Sequence, residues 1–256
     1  MAVFSWLYSL WFNIVFYATN ALMSVVLAWA LFLPRRCMIG PVKFWLSGVA
    51  WVEKQLGLRF RVLGRENLPP KGAYIVASKH QSAWETFKMH VLLHDPAVVL
   101  KRELLRIPLV GWYMNLSGSI PIDRGSPAKA IRKMTAGARK AAAEGRPIVI
   151  FPEGTRAAVG QTRPYKSGIA ALYQELNVPI VPLALNSGLL WPRNSFIKKR
   201  GTITVEFLPP IPPGLPRDEM MRRLREALET ATNKLLQDSG FRIQDSEKEK
   251  KKNSES

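Results

Sequence analysis

A histidine and a carboxylate five residues apart, His80 and Glu85, lie in the stretch Ser78 to Phe87, SKHQSAWETF. The short apolar run before it, Tyr74-Ile75-Val76-Ala77, has the character of a buried strand. Ser82 and Glu85 carry the spacing of a capping box, which predicts a helix from Ala83 and leaves His80 in the preceding turn. From that turn an imidazole can fold back onto a carboxylate in the first helical turn, whereas residues five apart inside one helix point to different faces. Imidazole has an unperturbed pKa of about 6.5 and can take a proton from a hydroxyl at working pH; a carboxylate on its other nitrogen fixes the tautomer and steadies the imidazolium. A base of this kind is worth roughly 10² to 10⁴ in rate. Taken alone, the pair reads more readily as an ordinary turn histidine and a capping glutamate, and it is the blocks downstream that reverse the balance.

The apolar run Pro147 to Phe151 leads into FPEGTR, Phe151 to Arg156. Gly154 after a strand lets the backbone approach a ligand closely, and Arg156 offers a planar fork for phosphate, with Glu153 before the glycine and Thr155 between the two. A second basic turn, Gly118 to Gly125, contains Arg124, and Lys101 opens a third loop. If these three cations stand at the carboxyl ends of strands in one sheet, they converge on the crevice where open α/β sheets bind ligands.

The elements that must position them alternate. Gly57–Leu63 mixes apolar and basic residues as a half-buried strand does, and further strands are expected at 74–78, 97–100, 119–122, 147–151, 178–185 and 201–207. Helices are expected at 83 to about 94, 128–144, 167–176 and 218–236. The fold class is therefore α/β, a mixed and largely parallel sheet of about seven strands flanked by helices. Prolines inside several of the strands point to edges or bulges.

Residues 1–34 contain no charged side chain. A straight helix of that length reaches about 50 Å against about 30 Å of hydrocarbon, so it is read as a retained membrane anchor; without a basic start it does not fit a signal peptide. Arg35, Arg36 and Lys43 then place the remainder on the cytoplasmic side, which in a bacterium means the inner membrane. A second tryptophan-bearing segment, Pro41 to Leu56, leaves two arrangements open, one spanning helix or two interfacial helices. The expected division is an anchor over 1–56, a catalytic domain over 57–240, and a charged, disordered tail over 241–256. The single cysteine, Cys37, excludes an internal disulfide. His90 and His94 lie four apart on one helical face without a third ligand, so no metal is expected.

With these blocks in view, the chain resembles the glycerolipid acyltransferases of the lysophosphatidate type, the 1-acylglycerol-3-phosphate acyltransferases. The family's H-x4-D is met by His80 and Glu85, with glutamate where aspartate is usual. Lys101, Pro108, Gly111, Trp112, Asp123 and Arg124 match the second block, Phe151 to Arg156 the third and Val178 to Pro182 the fourth, while Tyr165 to Gly168 resembles F-K-x-G. The resemblance covers roughly residues 60 to 190 and implies acyl transfer from a thioester, acyl-CoA or acyl carrier protein, to the 2-hydroxyl of lysophosphatidate. It implies His80 as base, Glu85 as its orienter, Arg124, Arg156 and Lys101 on the phosphate, and Glu153, Gly154 and Thr155 shaping that pocket. No other cofactor is implied.

The +18 net charge admits two anionic partners. Nucleic acid is disfavoured because the cations are scattered and no binding signature is present; a membrane of anionic lipid accounts for them at about 1 kcal/mol per residue near the headgroups. A serine esterase using Ser82 is disfavoured by the lack of a G-x-S-x-G elbow. Composition does not fix the oligomeric state.

Overall fold

Seven short apolar segments pair into one sheet in the computed structural model, which describes residues 2–123 and 125–241. They are β1 (Leu58–Leu63), β2 (Ile75–Ser78), β3 (Ala97–Lys101), β4 (Ile120–Ile122), β5 (Ile148–Ile150), β6 (Ile180–Leu185) and β7 (Gly201–Phe207), in the order β1-β7-β6-β2-β5-β3-β4. Every neighbouring pair is parallel except β6 with β7. This is the mixed, largely parallel sheet that the alternation predicts. The helices are α1 (Ala2–Val26), α2 (Arg35–Gln55), α3 (Trp84–Leu92), α4 (Val110–Leu116), α5 (Pro127–Ala143), α6 (Ser167–Leu176) and α7 (Arg217–Asp238).

Side chains alternate across the strands and so fill two cores. Ile75, Ala77, Ile148 and Ile150 face α5, α6 and α7, while Val76, Val149, Val181 and Leu183 face the side covered by α1 to α4. All four residues of β2 are buried, as a central parallel strand covered on both faces must be. The strand prolines follow the expected rule. Pro121 lies in the edge strand β4, and Pro182 lies beside a bulge, where the steps from Ile180 to Leu183 oppose the longer run from Phe207 to Ile211.

The N-terminal apolar run folds back on itself. α1 stops at Val26, a 3₁₀ turn covers Ala28–Phe32, and α2 starts at Arg35, six residues before Pro41, which it carries internally. Phe12, Phe16, Met38, Trp45 and Val49 belong to the same core as Val76 and Val98, so both helices are packed onto the sheet. Two charged clusters add to that packing. Lys88 of α3 pairs with Glu53 of α2 at 2.7 Å, both buried, and the Trp84 indole donates to the same Glu53 oxygen at 3.2 Å. Asp95 accepts from both Arg35 at the start of α2 and Arg146 before β5, at 2.6 and 3.1 Å. The tail expected beyond residue 241 lies outside the described residues.

Candidate active site

The parallel strands β2, β5 and β3 end at one edge of the sheet, and the turn after β2 carries His80. The helix that follows starts at Trp84, one residue later than the spacing predicts, but its cap is the expected one. The Ser82 hydroxyl accepts the Trp84 amide at 3.1 Å, and Glu85 Oε1 reaches back to the Ser82 amide at 2.7 Å. Ser82 is fully buried and occupied in this way, which removes it as a nucleophile.

Glu85 serves the cap and the imidazole together. Its Oε1 lies 2.9 Å from His80 Nδ1 and also accepts the Gln81 amide at 2.7 Å, while Oε2 accepts the Ser187 hydroxyl at 2.8 Å. The carboxylate has no exposed surface. A buried carboxylate with four donors is held firmly in position. Its partner nitrogen is therefore the protonated one, which leaves the lone pair of His80 Nε2 outward as the basic atom. The ring is fixed from below by Phe151, with centroids 4.1 Å apart and planes inclined by 27°. Only 16% of the His80 side chain remains exposed.

The FPEGTR turn runs alongside. The Ala157 amide donates to the His80 carbonyl at 2.7 Å, clasping the end of that turn to the histidine turn. Gly154 adopts φ +67°, a left-handed conformation that strains any residue with a side chain, and its amide closes the turn on the Phe151 carbonyl at 2.9 Å. Thr155 and Arg156 are half-buried beside it. The Arg156 guanidinium lies 3.4 Å from Asn194 Oδ1, and its carbonyl accepts from Arg193 at 2.8 Å, so the 187–195 loop holds that arginine from outside.

Not every expected site residue joins this group. Glu153 is fully buried, and its carboxylate is taken by Lys79 at 2.5 Å, so its role in shaping a substrate pocket is indirect. Burial pushes that carboxyl above the ordinary range, with Lys79 and the His80 amide opposing. Lys101 is exposed at the end of β3, two strands from β2, with no hydrogen bond or ion pair to the others among the described residues. Arg124 lies outside the described residues.

An apolar cleft, open to solvent, lies between α2, α3, β3 and α4, lined among others by Val42, Leu46, Phe87, Val98, Leu100 and Tyr113. Thr86 and His90, on the helix that carries Glu85, form part of its wall. Burial holds the His90 pKa down to about 4, so the imidazole is neutral at working pH. No group of three or more metal-ligating side chains occurs among the described residues.

Ser187 and Lys79 are the partners that the sequence reading missed. A polar Asn-Ser-Gly turn at the carboxyl end of β6, a strand paired in parallel with β2, is the signal for the first. For the second it is a lysine at a position where strand alternation demands burial.

A histidine–carboxylate dyad at the carboxyl edge of a largely parallel sheet, with an arginine turn clasped to it, fits an enzyme that activates a hydroxyl for group transfer. The Acyltransferase family model matches residues 59–186, half of the chain, and the protein belongs to that family. It is 38% identical over 169 residues to the 1-acyl-sn-glycerol-3-phosphate acyltransferase of Pseudomonas aeruginosa, covering 66% of this chain and 65% of that one. It is 33% identical over 192 residues to the human alpha enzyme of the same name, covering 71% and 66%. The chain thus spans about two thirds of the length of these curated relatives. The fold matches the crystal structure of the 1-acyl-sn-glycerophosphate acyltransferase from Thermotoga maritima, with a TM-score of 0.73 at 19% identity, over 91% of this chain and 97% of that one.

Proposed function

We propose that this acyltransferase moves a fatty acyl group from an acyl thioester, on coenzyme A or acyl carrier protein, to the 2-hydroxyl of 1-acylglycerol-3-phosphate, forming phosphatidic acid. The observation that carries the reading is the His80 imidazole, fixed at Nδ1 by a buried four-donor carboxylate, with the Arg156 turn clasped to its carbonyl. His80 Nε2 takes the proton of the hydroxyl as its oxygen attacks the thioester carbonyl. Collapse of the tetrahedral species breaks the carbon–sulfur bond, and the imidazolium returns the proton to the departing thiolate. No covalent enzyme intermediate is required. Arg156, with Arg124 and Lys101, holds the acceptor phosphate, and the cleft beside Phe87 and Leu100 takes an apolar chain.

The reading places the first 56 residues in a membrane and the catalytic part, 57–240, on its cytoplasmic face. α1 is long and apolar enough to cross a bilayer, but contacts along its length hold it against the catalytic part. Asn13 donates to the Phe196 carbonyl at 3.0 Å, Ser9 to Lys198 at 3.3 Å, and the Ser24 carbonyl accepts from Tyr113 at 3.2 Å. A helix tied to one side near both ends cannot leave it, so we place α1 and α2 within a single leaflet. Val3, Phe4, Leu7, Trp11 and Ile14, all more than half exposed, then face the lipid.

The decisive experiment offers the purified enzyme, in phospholipid vesicles, a panel of radiolabelled lysolipids with each thioester carrier. Acylation of lysophosphatidate that disappears in well-folded His80→Ala is expected. Undiminished acylation by that variant refutes the mechanism.

A further inference from the structure

Lys79 sits directly before the base, yet its side chain points the other way. Strand alternation sends it to the side of Ile75 and Ala77, under α7, while His80 turns to the crevice. There it is 2% exposed, and its ammonium donates to Glu153 Oε1 at 2.5 Å and to Glu229 Oε1 and Oε2 at 2.7 and 3.0 Å. Glu229, from the middle of the C-terminal helix, also accepts the Tyr165 hydroxyl at 2.9 Å and the Thr162 hydroxyl at 3.2 Å. One lysine thus joins the histidine turn, the FPEGTR turn and α7. The Lys79 main chain is equally fixed: its amide donates to Leu183 of β6 at 3.0 Å, and its carbonyl accepts from Ser78 Oγ at 2.9 Å.

We propose that Lys79 and Glu229 are positioning residues for the reaction: by clamping Glu153, they hold the histidine turn against the FPEGTR turn, and α7 is thereby a working wall of the site. The inference rests on the reading of His80 as the base. Lys79 and Glu153 are buried and the three clamp residues are paired with one another, so they act through the turns and the helix that carry them. A cation between two carboxylates is a stiff connection at low dielectric, and it is directional in a way that apolar packing is not. Loosening it lets the imidazole drift relative to Arg156, which slows the chemical step without weakening capture of the phosphate.

The test compares Glu229→Gln, Lys79→Met and the double variant, in vesicles, by steady-state acyl transfer to lysophosphatidate. Glu229→Gln keeps the Lys79–Glu153 pair and so keeps the fold if Lys79→Met does not. We expect kcat to fall severalfold in Glu229→Gln and at least tenfold in Lys79→Met, with the acceptor KM within twofold of wild type. The double variant is no slower than Lys79→Met, because both act through one clamp. In ¹⁵N-histidine spectra the chain has three imidazoles, and only the His80 signal should shift or broaden in these variants. A wild-type kcat and an unmoved His80 signal in folded Glu229→Gln overturn the proposal, as does a change confined to KM. Failure of the wild-type enzyme to acylate lysophosphatidate would sink the functional reading instead, and the His80 signal would still decide the clamp.

Discussion

Replacing Glu85 by glutamine isolates the charge of the carboxylate, because the hydrogen bonds around it survive. Three donors, His80 Nδ1 and the amides of Gln81 and Ser82, face Oε1, so the amide oxygen of the variant takes that place. The new NH₂ then meets the Ser187 hydroxyl, which can rotate to accept. What is lost is the extra strength that an anion gives the bond to Nδ1 once the ring is protonated. Bonds to charged groups are worth about 1.5–3 kcal/mol against about 0.5–1.5 for neutral ones, so the difference is roughly 1–2 kcal/mol in the transition state. That predicts a fall in kcat of about 5- to 30-fold, with both KM values and the melting temperature little changed. The assay is release of free thiol from the donor, followed at saturating lysophosphatidate. A kcat within twofold of wild type would show that the charge is not used. A loss near 10⁴-fold would show that the amide had turned its nitrogen to the ring and reversed the tautomer, against the preference of the two backbone donors.

Other expectations follow from the same geometry. Arg156→Ala removes one charged contact with the acceptor phosphate and should raise the acceptor KM by about 10- to 100-fold; an effect on the donor alone, read in the same kinetics, contradicts the assignment. Lys88→Met strands Glu53 in the core and should cost about 3–5 kcal/mol in denaturant unfolding, which adding Glu53→Leu restores in large part; equal stability of Lys88→Met and wild type would refute this. His90 binds its proton in the unfolded chain near pH 6.5 but in the folded one only near 4. Burial is the main cause, with Asp95 opposing and Arg146 adding to it. Between those values the unfolded state holds more protons, so stability is lost as pH falls from 6.5 to 4, by up to about 3 kcal/mol. His90→Gln should flatten that part of the pH–stability curve, and an unchanged slope counts against the burial argument.

The sheet was legible because its strands obey a simple rule. β2, β5 and β6 are short apolar runs bounded by glycine, proline or polar residues, and burial on both faces requires nothing else of them. The histidine–glutamate contact was legible for a similar reason, since a capping box fixes where the carboxylate points. α4 was not, because Val110–Leu116 is too short to show a period and is set by tertiary contact: a Cβ at Gly111 would lie 2.4 Å from the Leu105 carbonyl oxygen. The early start of α2 was missed because Pro41 resembles a first-turn proline, whereas packing of Met38 beneath it carries the helix through. Ser187 lies 102 residues from Glu85, and Glu229 lies 150 from Lys79, so no local pattern reports either contact. Glu153 is the opposite case, a residue inside a recognisable motif whose partner no local pattern reports: it follows β5 in the turn, and its buried carboxylate is paired with Lys79, 74 residues away.

The glutamate in place of the usual aspartate has a structural explanation in the same contacts. Its extra methylene lets one oxygen collect two backbone amides and the imidazole while the other reaches across to Ser187 on β6's far turn. A shorter side chain at this helix position retreats by about one bond length and cannot span both sets of donors unless α3 moves towards the turn. α3 is not free to move: Lys88, three residues on, is locked to Glu53 of α2, and the Trp84 indole is bound to the same carboxylate. Residue length and helix position are therefore matched, and Glu85→Asp is expected to lower kcat in the thiol-release assay; turnover equal to or above wild type would refute the match. The α1–α2 hairpin enters the chemistry through that match, since α2 sets the position of the helix from which the base is oriented.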